Sequence, residues 1–96
     1  DPWRSYVLSK EGADVYIAGG ALQGVKPGDV FKVYQRGKQV VNPQTNLPVE
    51  LPGTQIATIK INTLVPGTEL TELSKASIIQ GSIPDDGFEN IYVSDK

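Results

Sequence analysis

The chain has 96 residues, nine of them basic and eleven acidic, for a formal net charge of −2, and it contains neither cysteine nor histidine. Disulfide frameworks, thiolate metal sites and the commonest general base are therefore excluded. A chain of this length makes one small domain that buries roughly 64% of its unfolded surface, and no window approaches the ~20 apolar residues of a membrane-spanning helix.

Taken in chain order, residues 1–12 carry Trp3, Tyr6, Val7 and Leu8 and are expected as an extension packing over the mouth of the domain, as a strand or one helical turn. Residues 13–96 form the domain itself. Asp14–Ala18 reads as a strand with Val15 and Ile17 on one face and Asp14 and Tyr16 on the other. Gly19, Gly20, Gly24 and the pair Pro27-Gly28 make a structured loop with Leu22 and Val25 as anchors. Pro27 at i+1 and Gly28 at i+2 are the residues of a type II turn. Val30–Gln35 is the next strand, with Phe31 and Val33 inward; residues 36–38 are a turn and 39–41 a short strand forming a hairpin with it. Residues 42–48 read as an exposed turn opened by Asn42-Pro43, and 51–53 continue the excursion.

The clearest strand spans 55–63, where Ala57, Ile59 and Ile61 alternate with Thr58, Lys60 and Asn62. One apolar and one wet face mark a half-buried antiparallel strand. Pro66-Gly67 is expected to turn the chain. A strand follows at 74–80, with Ala76 and Ile78 inward and a bulge near Ile79, then a loop over 82–89 and a last strand at 90–93. Ten glycines and seven prolines separating short β-branched and aromatic runs predict an all-β fold. Strands this short cover their edges by curling, so a small SH3-like barrel of about five to six antiparallel strands is expected.

The basic residues are dispersed, with only Lys32, Arg36 and Lys38 close in sequence. Nucleic-acid binding draws on a clustered basic face, so no nucleic-acid partner is expected, and no direct membrane insertion. The chain has no methionine, so residue 1 is read as other than a translational start. The absence of cysteine is compatible with an oxidising compartment.

The runs Val15-Tyr16-Ile17, Gly20 and Gly24-Val25-Lys26-Pro27-Gly28-Asp29-Val30-Phe31-Lys32-Val33-Tyr34 resemble the C-terminal β-domain of the flagellar assembly protein T family. Similar domains follow envelope proteins of the curli-secretion (CsgG) type. The likeness continues through Asn42-Pro43-Gln44-Thr45-Asn46, Thr54-Gln55-Ile56-Ala57-Thr58-Ile59 and Ser74-Lys75-Ala76, over roughly residues 13–80. Asn42 and Asn46 stand where the family has Asp and Gly, and both tolerate turn geometry. The resemblance implies an SH3-like barrel that is periplasmic or outer-membrane-associated in a Gram-negative bacterium. It implies no catalytic residue.

No residue spacing points to catalysis, a P-loop or a cofactor. Asp85-Asp86-Gly87-Phe88-Glu89 lacks the alternation of a calcium loop and reads as an acidic surface loop. Two features suit partner binding. One is the apolar set Leu47, Val49 and Leu51 in the 42–53 excursion, unless it folds as a lid on its own barrel. The other is the outer face of Val30 and Tyr34, which Tyr16 could join, unless the Trp3–Tyr6 stretch covers it. Both fit a non-enzymatic assembly module docking to an envelope subunit or to another domain of its parent, with flagellar basal-body assembly as the setting. The alternative is a glycan- or peptidoglycan-binding module using Trp3 and the tyrosines.

Overall fold

The computed structural model describes residues 3–96. Among the described residues nine strands occur, and no helix is longer than a single 3-10 turn. They are β1 (Arg4–Ser5), β2 (Val7–Glu11), β3 (Asp14–Ala18), β4 (Val30–Gln35), β5 (Gln39–Asn42), β6 (Leu47–Glu50), β7 (Thr54–Val65), β8 (Leu73–Gly81) and β9 (Ile91–Ser94). Seven make one sheet in the order β1-β9-β4-β7-β8-β3-β2, and β5 and β6 make a separate two-stranded ribbon. The fold is the all-β, nearly closed barrel expected, with more strands than the five to six foreseen. Among the described residues no helix is long and apolar enough to cross a membrane.

The additional barrel strands come from the N-terminus. Sequence reading treats residues 1–12 as an extension packing on the barrel; residues 1 and 2 lie outside the described residues, and 4–11 lie within the sheet as its two edges. β1 pairs with β9 (Arg4 opposite Ser94, Ser5 opposite Val93), and β2 pairs with β3 (Val7 opposite Ile17). Only Tyr6 separates the two, and its carbonyl accepts from the Ala18 amide at 3.1 Å. The Ser5 hydroxyl, in a buried residue, donates to the Ala18 carbonyl. One bent stretch of chain thus serves both ends of the sheet.

The core follows the alternation in sequence. Val15 and Ile17 of β3, Phe31 and Val33 of β4, Ala57, Ile59 and Ile61 of β7, and Ala76 of β8 are all buried in one cluster. Val7, Val25, Ile83, Ile91 and Val93 complete it, and Trp3, Ile56, Leu64, Ile78 and Phe88 pack at its margin. The type II turn is present: Gly28 has φ of 91° and the Asp29 amide donates to the Lys26 carbonyl at 3.1 Å. Thr58 opposes Gln80 while Ile59 opposes Ile78, which leaves Ile79 unpaired in the expected bulge.

Three expectations change. β5 does not pair with β4, because β7 and β9 occupy both edges of β4; β5 pairs with β6 instead. β6 contains Pro48, read from sequence as part of a turn. The Leu51 amide donates to the Lys38 carbonyl at 2.8 Å. That bond sets the alternation of the ladder and places Pro48 opposite Val41 in a pair that exchanges no hydrogen bonds. The missing N–H therefore removes nothing from the ribbon. Finally, Pro66-Gly67 does not reverse the chain. Leu64 is held against the core and opposite Ser74, so β7 runs on to Val65, and the turn forms where the Thr71 and Glu72 amides bond the Thr68 carbonyl.

Gly81 has φ of 75°, and a Cβ there would stand 2.1 Å from the Ile56 carbonyl oxygen. Both the backbone conformation and the close approach require glycine. Gly81→Ala is expected to cost about 2 kcal/mol or more, read as a lowered midpoint in urea denaturation; an unchanged midpoint would contradict the β7–β8 packing described here.

Candidate functional site

All but one residue of the two strands of the β5–β6 ribbon are exposed. Successive residues of a strand face opposite sides, and directly opposed residues share a side. Val40 opposes Val49, and Asn42 opposes Leu47. Val40, Leu47 and Val49 therefore lie on one face, and the Leu51–Lys38 bond extends the same row to Leu51. Their exposures are 43% for Val40, 62% for Leu47, 44% for Val49 and 43% for Leu51. The ribbon does not fold down as a lid. The radius of gyration is 14.5 Å, against about 12.5 Å for a compact chain of this length, as a projecting ribbon requires.

Local chemistry builds the ribbon. The Asn42 side-chain oxygen accepts from the Gln44 amide at 2.9 Å, the Asn46 amide donates to the Asn42 carbonyl at 2.7 Å, and Asn46 adopts a left-handed φ of 57°. At the root, Arg36 Nε meets Glu50 Oε1 at 3.2 Å. A Cβ on Gly37 would lie 2.0 Å from the Leu51 carbonyl oxygen, so the two legs leave the barrel in close contact.

The second expected surface divides. Val30 and Tyr34 are both on the outer side of β4, four residues and so about 13 Å apart. Val30 is 52% exposed and lines a shallow depression of about 350 Å³ with Trp3, Gln23, Lys26 and Asp29. Trp3 does not cover it. Its ring lies 4.9 Å from that of Phe31, and its indole N–H donates to Gln23 Oε1 at 3.0 Å. Tyr34 stacks on Tyr92 of β9 with ring centroids 5.3 Å apart, and its hydroxyl donates to the Lys96 carbonyl at 2.9 Å. Tyr16 does not join them: it opposes Lys75 on β8, and β8 and β7 stand between β3 and β4.

The structure thus gathers Leu47, Val49 and Leu51 with Val40, places Tyr34 at the ribbon's root beside Pro52 and Gly53, and leaves Val30 and Tyr16 apart. Val40 was open to sequence reading, since it sits one alternation from the end of its own strand. Tyr92 was not, because its partner lies 58 positions away.

Two polar sites fix the loops around the barrel. Glu72 is buried, and its Oε1 accepts from the Leu22 amide at 3.0 Å while its backbone carbonyl accepts from the Gly19 amide at 3.1 Å. Ser74 Oγ donates to the Gly19 carbonyl at 2.8 Å. Of the two anchors expected here, Val25 is buried and Leu22 is 61% exposed. Glu72 holds the Leu22 backbone, so the Leu22 side chain is free of that task. In the acidic loop, Lys10 Nζ lies 2.7 Å from Asp85 Oδ1. This hydrogen bond, with the lysine charge behind it, holds the Asp85 carboxyl below its ordinary range. Among the described residues no three carboxylates converge as a metal site.

A scan against protein-family models finds no match for the chain, and a search of curated proteins finds no relative.

Two outcomes test these polar contacts. Replacing Glu72 by Ala removes the acceptor for the Leu22 amide and is expected to cost about 1–3 kcal/mol; Glu72→Gln, which keeps an acceptor oxygen, should retain most of that stability in the same denaturation assay. Because its carboxyl is stabilised in the ionised form, Asp85 should titrate below the ordinary aspartate value in a carboxyl-carbon NMR titration. Lys10→Gln should return it upward. The ion pair persists at neutral pH and is lost only as pH falls through the lowered value; an Asp85 titration insensitive to Lys10→Gln would refute the pairing.

Proposed function

We propose that this domain is a non-enzymatic docking module, held to a partner subunit or to another domain of its parent through the β5–β6 ribbon. The observation that supports this reading is the one-sided row of Val40, Leu47, Val49 and Leu51 on a ribbon that no barrel strand backs. An isolated two-stranded hairpin is marginally stable in water, and contiguous exposed apolar surface marks interaction sites. A partner laid on that face would bury the row and fix the ribbon at once. The envelope setting, periplasmic or outer-membrane-associated, and a place in flagellar basal-body assembly rest on the family-like runs between residues 13 and 80.

The test is a quantitative pull-down from a Gram-negative envelope fraction, comparing the native domain with Val40→Thr/Leu47→Thr/Val49→Thr. Threonine keeps strand propensity while removing the apolar face. Retention of a defined basal-body or other envelope subunit should fall about ten-fold in the variant, the loss of ~1.4 kcal/mol of apolar contact, with the barrel's circular dichroism unchanged. Equal retention by both would overturn docking through the ribbon. Co-sedimentation with purified peptidoglycan sacculi, with no subunit retained, would favour the glycan-binding alternative.

A further inference from the structure

We propose that the depression between Arg4, Tyr34, Tyr92 and Lys96 is a carboxylate-binding pocket that receives an acidic side chain from an extended peptide segment of the docking partner. This deepens the docking reading and rests on it for the class of ligand. The depression measures about 380 Å³ and is lined by Arg4, Tyr34, Pro52, Gly53, Tyr92, Ser94 and Lys96.

The Arg4 guanidinium carbon lies 4.1 Å from the centroid of the Tyr92 ring, and Tyr34 stacks on that ring at 5.3 Å. A guanidinium lying over an aromatic face keeps its N–H donors in its own plane, directed sideways, where a carboxylate is received by two parallel hydrogen bonds. Among the described residues, the ion pairs use Lys10, Arg36 and Lys75, and Arg4 donates to no carboxylate. No carboxylate side chain lines the depression. Asp95, next in sequence to Lys96, lines the Val30 depression instead. Two cationic residues, Arg4 and Lys96, therefore line a depression on a protein whose net charge is negative, while the Tyr34 hydroxyl is already given to the Lys96 carbonyl and Ser94 Oγ accepts from the Lys96 amide. Such a local reversal of sign concentrates an anionic ligand.

The neighbouring surface selects a peptide over a free anion. Pro52 and Gly53 form one wall and continue directly from Leu51, the last residue of the apolar row. A segment alternating apolar and acidic side chains can place a carboxylate on Arg4 and lay its apolar neighbours along the ribbon.

The test is a ¹⁵N–¹H NMR titration of the whole chain with the end-blocked peptide Leu-Glu-Leu-Glu-Leu, its glutamine isostere, and D-glucuronate. The acidic peptide should shift the Tyr34, Tyr92, Ser94 and Lys96 amides saturably, and more weakly as salt is raised. The glutamine peptide should bind about ten-fold more weakly or worse, as loss of a charge-assisted bidentate pair requires. Arg4→Gln should abolish the preference, and Arg4→Lys, which keeps the charge but loses the fork, should retain part of it; Lys26→Gln, at the other depression, should leave it intact. If Arg4→Gln fails to fold, Arg4→Lys decides. Equal binding of the two peptides, shifts confined to other residues, or no shifts overturns the proposal, and saturation by glucuronate without peptide binding overturns the peptide class. The titration uses no envelope fraction, so its failure and that of the docking reading are separate results.

Discussion

A seven-stranded sheet has two edges, and here both belong to one stretch of chain. Residues 4–11 bend at Tyr6, so that β1 completes the β9 edge while β2 completes the β3 edge. Unpaired edges are templates for association, and the near-closure of the barrel limits them. Closure also carries Val7 into the core beside Ile17 and brings Trp3 against Phe31. The glycine loop over the barrel end depends on it in turn, because Trp3 bonds Gln23 and the Tyr6 carbonyl takes the Ala18 amide just ahead of Gly19.

The β5–β6 ribbon pairs with no strand of the nearly closed barrel. β4 has both neighbours already, and the ribbon leaves through the narrow root at Gly37 and Leu51. The same closure creates the tyrosine depression, since Arg4 reaches Tyr92 only because β1 lies along β9. Barrel, ribbon and basic pocket are consequences of one pairing scheme. The two surfaces proposed to act adjoin one another, the ribbon and the depression at its root.

Much of this was legible locally. Period-two alternation located β3, β4, β7 and β8, the Pro27-Gly28 pair gave a turn with its expected backbone, and the extra residue at Ile79 marked a bulge. What was not legible was non-local. Ser9, Lys10 and Glu11 are too polar to mark a buried strand, yet β2 is an edge strand with one face on the core, and such a strand needs only Val7. Pro48 reads as a strand breaker unless the hydrogen-bond phase of the ribbon is known, and that phase is set across the chain by Lys38 and Leu51. Of the expected site residues, those sharing one alternating run, Leu47, Val49 and Leu51, stay together. Tyr16, Val30 and Tyr34 were grouped by outward direction alone, and strand order separates Tyr16 while distance along β4 separates the other two. Arg4 and Tyr92 meet through pairing of the chain's two ends, which no local pattern encodes.

Residues 4–11 are part of the barrel and not an appendage to it. The most direct measurement is the thermal unfolding of a chain beginning at Gly12 compared with the full chain. Removing two edge strands exposes the β3 and β9 ladders, at about 1 kcal/mol for each backbone bond lost, in a domain whose whole stability is of order 5–15 kcal/mol. The shortened chain should show no cooperative transition. A sharp transition within a few degrees of the full chain's would contradict the account.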